Sequence, residues 1–453
     1  MPKSQNAVLN SCRKNLLKAV PLGQRSLYED SVRGVGRFHS KELALHLARH
    51  WDASKSREDA GMIDVIDMFS GCGGMSAGFR TVNSVLPVYR HILAVDIDEV
   101  ANETYECNLG LRPTRVSVAD LVNRPNQLKA TIEASARDES KPLVLIGCAP
   151  CQGFSSHRNG DGEGDLRNNL FLNFARIATR LQPTAVIVEN VPELLTTRYW
   201  SYVQEARRIL HRAGYFVHLS VCNMAEFGVP QERFRAVMLA MKHPFAPITG
   251  FLDRKHFRTV RDAISHLPAV DAGERCGSDL MHFTAKHQET TVNTIRAVPR
   301  DGGNRPDGVG PACLTRVREK QGRGGYDDVY GRLSWDKPAI TITAYSRNPA
   351  SGRFVHPFQD RGLSIREAAL LQGFPPDYQF KGSLDDAFRQ IGNAVPPAFA
   401  ACLGMHVLGE ILTEDHLSEM SQGIEEPLGS SFSRLIPSLK AGNARTGSSL
   451  ATI

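Results

Sequence analysis

The sequence predicts an α/β fold, a doubly wound, mostly parallel sheet carrying a smaller, loop-rich domain. Three observations predict it. Between about residues 62 and 241, short apolar runs of strand length alternate with helical stretches. Most of these runs end on residues suited to chemistry rather than packing, as expected where strand ends of such a sheet face a ligand. The alternation then stops near Phe245 and resumes near Pro338, so a differently built segment is inserted.

The elements follow in order. Met62–Phe69 reads as a buried strand that runs into Ser70-Gly71-Cys72-Gly73-Gly74. Tyr89–Val95 is a second strand, ending at Asp96, and Val100–Asn108 a helix. Leu143–Gly147 is a third strand, ending at Cys148-Ala149-Pro150-Cys151, and a helix follows at Leu170–Leu181. Ala185–Val188 is a fourth, ending at Glu189-Asn190-Val191, with a helix at Tyr202–Ala213. Gln231-Glu232-Arg233-Phe234-Arg235 leads into the apolar strand Ala236–Met241. Phe245–Arg332 is rich in Gly, Pro and Arg and reads as the small domain. Pro338–Thr343, a helix at Ser364–Gln372 and an apolar helix at Pro397–Leu412 return the chain to the main domain. This divides the chain into a polar, basic extension (1–60), a main domain (61–244), the small domain (245–332), the remainder of the main domain (333–412) and a Ser- and Gly-rich tail (413–453) expected to be mobile.

Composition narrows the function classes. With 42% hydrophobic and 23% charged residues, the 453-residue chain reads as a soluble globular protein long enough for two domains. No apolar run of the roughly 18 residues needed for a membrane span is evident, and no secretory leader is expected. The nine cysteines are scattered and odd in number, which fits a reducing cytoplasm rather than a disulfide framework. The net charge of +6 suits a polyanionic partner without demanding one.

Four motifs carry chemistry. Asp67-Met68-Phe69-Ser70-Gly71-Cys72-Gly73-Gly74 follows a strand and opens a helix, so backbone N–H groups can approach a ligand closely. Asp96, about twenty residues on, stands where an acid binds ribose hydroxyls in such folds. Together they suit an adenosine-containing cofactor; a structural turn and an exposed acid are the alternative. Cys151 sits on a strand-to-loop turn that a substrate can reach and that favours a thiolate, whereas the common fate of cysteine is core packing. Cys148 and Cys151 also admit a redox or zinc reading, but no second ligand pair stands at suitable spacing and no metal is expected. Glu189, at a strand end, can hydrogen-bond a heterocycle and supply a proton to a ring nitrogen, or be an ordinary surface glutamate. Arg233 and Arg235 alternate along a strand and so share a side, which suits a phosphate or a base oxygen, or guards an edge strand by charge.

In this order and spacing, the four motifs resemble the series found in bacterial-type DNA cytosine-5 methyltransferases. Arg366-Glu367-Ala368-Ala369 through Gln372-Gly373-Phe374-Pro375, and Gln390-Ile391-Gly392-Asn393-Ala394-Val395-Pro396-Pro397, extend the resemblance over about Ile63 to Leu412. It implies a class I methyltransferase, Rossmann-like, that moves a methyl group from S-adenosylmethionine to carbon 5 of a cytosine in double-stranded DNA. Cys151 would be the nucleophile and Glu189 the group on ring N3. Arg235 would hold the cytosine O2, and Arg233 a phosphate or the catalytic loop. Asp67, Phe69, Ser70, Gly71, Cys72, Gly73 and Gly74 would line the cofactor, with Pro150 and Val395 beside it. Asp96 would bind its ribose, Ile97 pack on its adenine, Asp120 accept from the adenine amino group, and Asn393 close the site.

The resemblance further implies base flipping, a mobile loop at Ser155–Asn169 and base reading by the small domain through stretches such as Arg300–Arg305 and Arg316–Arg323. It also implies a cytoplasmic enzyme, monomeric on DNA, either solitary or paired with a separate restriction endonuclease. One branch of the family modifies transfer RNA, but the inserted segment here is long, which favours DNA. A non-catalytic DNA-binding relative would be expected to lack Cys151 or Glu189, and a nicotinamide oxidoreductase would leave Cys151 and the arginine pair unexplained. The chain departs from the family pattern at Cys148-Ala149, where glycine, proline or phenylalanine is usual. Cys148 is left without a role and is expected to be dispensable.

Overall fold

The structure is a computed structural model and describes residues 61–83, 88–149, 168–314, 328–412 and 417–429. The extension 1–60, the loop expected to be mobile (all but its last residues), the Arg316–Arg323 stretch, Pro150 and Cys151 lie outside the described residues.

Among the described residues, six strands form one sheet. They are β1 (Ile63–Met68), β2 (Tyr89–Val95), β3 (Leu143–Gly147), β4 (Ala185–Asn190), β5 (Phe216–Asn223) and β6 (Phe234–Met241). Their order is β2-β1-β3-β4-β6-β5. The first four are parallel neighbours, while β6 runs antiparallel to both β4 and β5. The doubly wound, mostly parallel sheet is therefore present. Its order reverses between β1 and β3, so the carboxyl ends of these two strands form the crevice where such sheets bind ligands. Strand β5 is absent from the sequence-based expectation. Its Phe-Val-His-Leu-Ser-Val-Cys-Asn alternates polar and apolar residues, yet seven of the eight are buried.

Helices cover both faces: α1 (Gly74–Val82), α2 (Glu99–Leu109), α3 (Val118–Asn123), α4 (Pro125–Ala134), α5 (Asn168–Leu181), α6 (Trp200–Arg212), α7 (Val260–Ile264), α8 (Glu289–Arg296), α9 (Ile365–Leu371), α10 (Leu384–Asn393) and α11 (Pro397–Leu412). One apolar layer joins Leu145, Val186 and Met238 to α5 and α6 through Phe174, Ile177, Val203 and Leu210. The other joins Val65, Val144 and Ile187 to α1 and α11 through Phe79, Phe399, Leu403 and Leu408. The contact of α1 with α11 is close because Gly78 has no side chain: a Cβ there would lie 2.4 Å from the Ala400 Cβ and from the Pro397 carbonyl oxygen. By length and apolar composition the run Leu384–Ile411 could cross a membrane, contrary to expectation, but 83% of its apolar window is buried inside the molecule, as in core helices.

Among its described residues the inserted segment has little regular structure, and they share their core with later chain. Val260, Ala263 and Ile264 of α7 pack with Leu333, Phe354, Leu363, Ala368, Phe374 and Phe388, all later in the chain. A second, small cluster joins Ile295 and Val298 to Val329, Tyr330 and Val355. The packing unit therefore continues past Arg332, where sequence alone places its end. Buried Arg332 and Arg361 stiffen it: Arg332 donates to the carbonyls of Ile295, Val298, His356 and Gln359, and Arg361 forms a two-pronged pair with Glu367 at 2.7 Å on each oxygen.

Part of the tail expected to be mobile is packed. Gly423 bridges to Leu219 at the open edge of β5, and Ile424 is buried in the main core. Arg207 donates to the Ile424 carbonyl at 3.1 Å, and the chain ends this run with Leu428 N–H on the Leu195 carbonyl at 2.9 Å. Polar groups on β5 explain the fit, since His218 Nδ1 lies 2.8 Å from the Ser421 carbonyl.

Candidate active site

The turn after β1 is built from left-handed backbone. Phe69, Gly71 and Gly73 have φ of 60°, 49° and 89°. At Gly73 a side chain would strike Leu109 and Tyr105, whereas a Cβ at Gly71 would meet nothing within 4 Å. The turn is thus packed below and open above. The Gly71 N–H donates to Asp96 Oδ2 at 2.8 Å, and the Asp98 N–H donates to its Oδ1 at 2.9 Å. Asp96 thereby ties the ends of β1 and β2 together, and burial raises its pKa from the ordinary value. Beside it, Ile97 is 64% exposed, an unusual position for a branched apolar side chain. Ser70 is buried and its Oγ has no hydrogen-bond partner among the described residues.

Among the other residues of this motif, the side chains of Asp67 and Cys72 face inward, which leaves their backbone as what they can offer a cofactor. Asp67 is buried beneath the turn and accepts from Ser76 Oγ at 2.6 Å, with Tyr105 donating in turn to Ser76 at 2.9 Å. Burial pushes its pKa up to about 7. Cys72 is also buried, its thiol 3.6 Å from the Gln390 carbonyl and its pKa pushed up to about 12, while its own carbonyl accepts from Tyr378. Gly74 is a packing glycine: a Cβ there would lie 2.4 Å from the carbonyl oxygen of Val395, itself buried. This contact sets the end of α10 beside the turn, where Asn393 is exposed. Phe69 is half-buried against the core. Asp120 stands half-buried in the first turn of α3, and the chain leading to it bridges at Thr114 to Val95, the last residue of β2.

The second half of the site lies at the ends of β3, β4 and β6. Glu189 is only 3% exposed. Its Oε1 lies 3.0 Å from Arg235 Nε, and its Oε2 accepts from the Cys148 thiol at 2.9 Å. Register explains the first contact, because Glu189 pairs with Val237 and Asn190 with Ala236, so Arg235 emerges at the end of β4. Asn190 donates from Nδ2 to the Ala149 carbonyl at 3.2 Å, holding the strand exit two residues before Cys151. Sequence reasoning leaves both Asn190 and Cys148 without a role. The signal that marks them is position, each being next to a predicted site residue at a strand end.

Arg233 does not join Arg235. It is buried, and donates to the carbonyls of Ile342 at 3.0 Å, Gly392 at 3.0 Å and Ala394 at 3.3 Å. It precedes β6 rather than lying within it, so strand alternation does not govern its partners. Arg233 therefore braces the returning chain against the main domain. Gln231 does the same, donating to Gln372 Oε1 at 2.7 Å and accepting from the Ile342 N–H at 2.8 Å.

The model of the C-5 cytosine-specific DNA methylase family matches residues 63–408. The chain belongs to that family. Among its relatives is the type II methylase M.HgiDII of Herpetosiphon aurantiacus, 33% identical over 349 residues, 76% of this chain and 94% of the relative. The type II methyltransferase M1.HphI of Haemophilus parahaemolyticus is 33% identical over 347 residues, covering 76% and 86% of the two chains. Among solved structures, a protein encoded within a prophage of Escherichia coli shares the fold, with a TM-score of 0.54 and 24% identity over 77% of this chain and 99% of that one. The chain is a DNA cytosine-5 methyltransferase, and its family uses S-adenosylmethionine as methyl donor.

Proposed function

We propose that Cys151, Glu189 and Arg235 form the catalytic group and that the crevice between β1 and β3 holds S-adenosylmethionine. The observation that carries this reading is the meeting of Glu189 and Arg235 at 3.0 Å at the strand exit that leads to Cys151. The cofactor fits what the residues offer. Gly71 leaves open space, Ser70 holds an unpartnered hydroxyl, Asp96 presents a carboxylate and Ile97 an exposed apolar face. When bound, S-adenosylmethionine supplies an electrophilic methyl group.

The chain's residues do the rest. C6 of cytosine is out of reach in a stacked duplex, so the base is flipped out. The Cys151 thiolate adds to C6, breaking the aromaticity and making C5 enamine-like. Glu189 hydrogen-bonds or protonates N3, which spreads the charge that develops. Arg235, held by Glu189, is available to the base oxygen O2. After methylation, the C5 proton leaves to a base or water, the C6–S bond breaks, and the Cys151 thiolate is regenerated as N3 returns its proton to Glu189. Asp120 would accept from the adenine amino group and Asn393 would close the outer rim, with Pro150 preceding the nucleophile in sequence.

The inserted segment from Phe245, with the later chain that completes its core, would read the flanking bases. The enzyme would act as a monomer on double-stranded DNA in a bacterial cytosol, in a restriction–modification system with a separate endonuclease or as a solitary enzyme. The test is Cys151→Ala with tritiated cofactor and unmethylated genomic DNA. Transfer should vanish while DNA binding persists, and duplex carrying 5-fluorocytosine should trap a covalent adduct with the unmodified enzyme alone. Substantial turnover by the variant would overturn the assignment.

A further inference from the structure

Strands β3 and β4 are parallel and in register, with Gly147 opposite Val188. The next residue of each strand is therefore set side by side across the sheet edge, and these residues are Cys148 and Glu189. Gly147 fixes how closely the exit is packed: a Cβ there would lie 2.4 Å from the Phe174 ring and 2.9 Å from the Met68 carbonyl oxygen. One residue further on, Ala149 is buried and its carbonyl accepts from Asn190. Two successive residues of the β3 exit are thus tied to two successive residues of β4. The thiol contact follows from register and packing.

We propose that Cys148 is a positioning residue for the methyl-transfer reaction, its thiol holding the Glu189 carboxyl in the orientation that meets the target ring. The proposal rests on the reading of Glu189 given above. A glutamate reaches its carboxyl through rotatable bonds, and its terminal torsion is broad. The Arg235 guanidinium restrains Oε1 at 3.0 Å, and one restraint leaves the carboxyl free to turn about it. The Cys148 thiol restrains Oε2 at 2.9 Å and fixes the plane. Each carboxylate oxygen has two lone-pair sites, so Oε2 can accept from the thiol and still present an open direction to the base. The thiol is a neutral donor, so it orients the carboxyl without adding a charge to a site already holding an arginine. A hydroxyl at the same position would do the same; a methyl or isopropyl group would not.

The experiment uses the full chain, tritiated S-adenosylmethionine and unmethylated genomic DNA, with steady-state and single-turnover rates. Five variants are compared: C148A, C148V, C148S, E189Q and E189Q/C148A. Losing a hydrogen bond to a charged group that acts in the transition state should lower kcat about 10- to 100-fold in C148A, with KM for DNA changed less than about twofold. C148V keeps volume without a donor and should fall equally, which covers a failure of C148A to fold. C148S should stay within about threefold of the parent kcat, since its hydroxyl restores the donor. In the E189Q background, C148A should change the residual single-turnover rate by less than about twofold, because a residue acting through Glu189 has nothing left to position. Parent-like kcat in C148A or C148V beside an impaired E189Q overturns the inference alone. So does a C148A loss of the same size in both backgrounds, or a C148S enzyme as slow as C148V. Parent-like kcat in E189Q overturns the reading of Glu189 and the inference with it.

Discussion

Replacing Asp67 by Asn should make the protein less sensitive to alkaline pH, and the structure gives the size. Asp67 is buried under the cofactor turn, and burial raises its pKa from 3.8 to about 7. A carboxyl whose folded pKa is raised binds a proton more tightly in the native state. The stability it contributes is complete below pH 4, declines as pH rises, and is lost above pH 7. Each tenfold gain in proton affinity corresponds to about 1.4 kcal/mol, so the parent should lose about 3 kcal/mol between pH 5 and pH 8 through this group. Asparagine cannot ionise, and its carbonyl can still accept from Ser76, which now lies 2.6 Å from Asp67 Oδ2. Glu226 and Glu410 are also raised to about 7 by burial, so the parent's own pH slope mixes several groups. The difference between Asp67→Asn and parent isolates the one. Urea unfolding followed by circular dichroism at pH 5, 6.5 and 8 measures it. The variant should gain on the parent by about 3 kcal/mol across this range. A difference that stays constant with pH would refute the reasoning, since it would mean that Asp67 has the same proton affinity folded and unfolded.

Gly78→Ala gains helix propensity of about 1 kcal/mol but forces a methyl to within 2.4 Å of Ala400 and Pro397, so it should be destabilising by about 1–2 kcal/mol net, read as a lower urea midpoint. Arg235→Ala should lower kcat/KM at least about a hundredfold in methyl-transfer assays, because it leaves buried Glu189 without its cation. A chain ending at residue 416 loses the burial of Ile424 and the cover of β5, and should be less stable by at least about 2 kcal/mol in urea, with an unchanged far-ultraviolet spectrum under native conditions.

Much of the main sheet and half of the site are legible in the sequence because they depend on local signals. Ile63–Met68, Leu143–Gly147 and Ala185–Asn190 are buried on both faces, so their apolar runs read as strands, and the residues at their ends stand out. Glu189 stands out this way, and Asp96 does so at the end of Tyr89–Val95, whose last four residues are buried. What depends on distant chain is not legible. Strand β5 alternates like a half-exposed strand, and its free edge is covered by residues 421–424, which bridge to Leu219 and meet His218. Spacing pairs Arg233 with Arg235, but its acceptors lie more than a hundred residues away, at 342, 392 and 394. Gly74 looks like part of a cofactor loop, yet its contact is Val395. Cys148 departs from the family pattern and so draws no role, although register sets it beside Glu189.

The union of α1 with α11 also constrains how the molecule is made. Helix α1 is synthesised near the start of the described chain and its covering helix near the end, at Pro397–Leu412. A nascent chain that has emerged as far as Met241 holds the six described strands, Glu189 and Arg235, and α1 can pack on the sheet through Phe79, yet the side of α1 that α11 covers is bare. The notch at Gly78 that admits Ala400 is then an open groove rather than a joint. Closing it requires a loop of some three hundred residues, which is entropically slow and leaves apolar surface uncovered while it forms. Arrival of α11, rather than completion of the sheet, should therefore be the event after which the cofactor crevice gains its final shape, and a chain cut before Pro397 should aggregate rather than act as a weak enzyme.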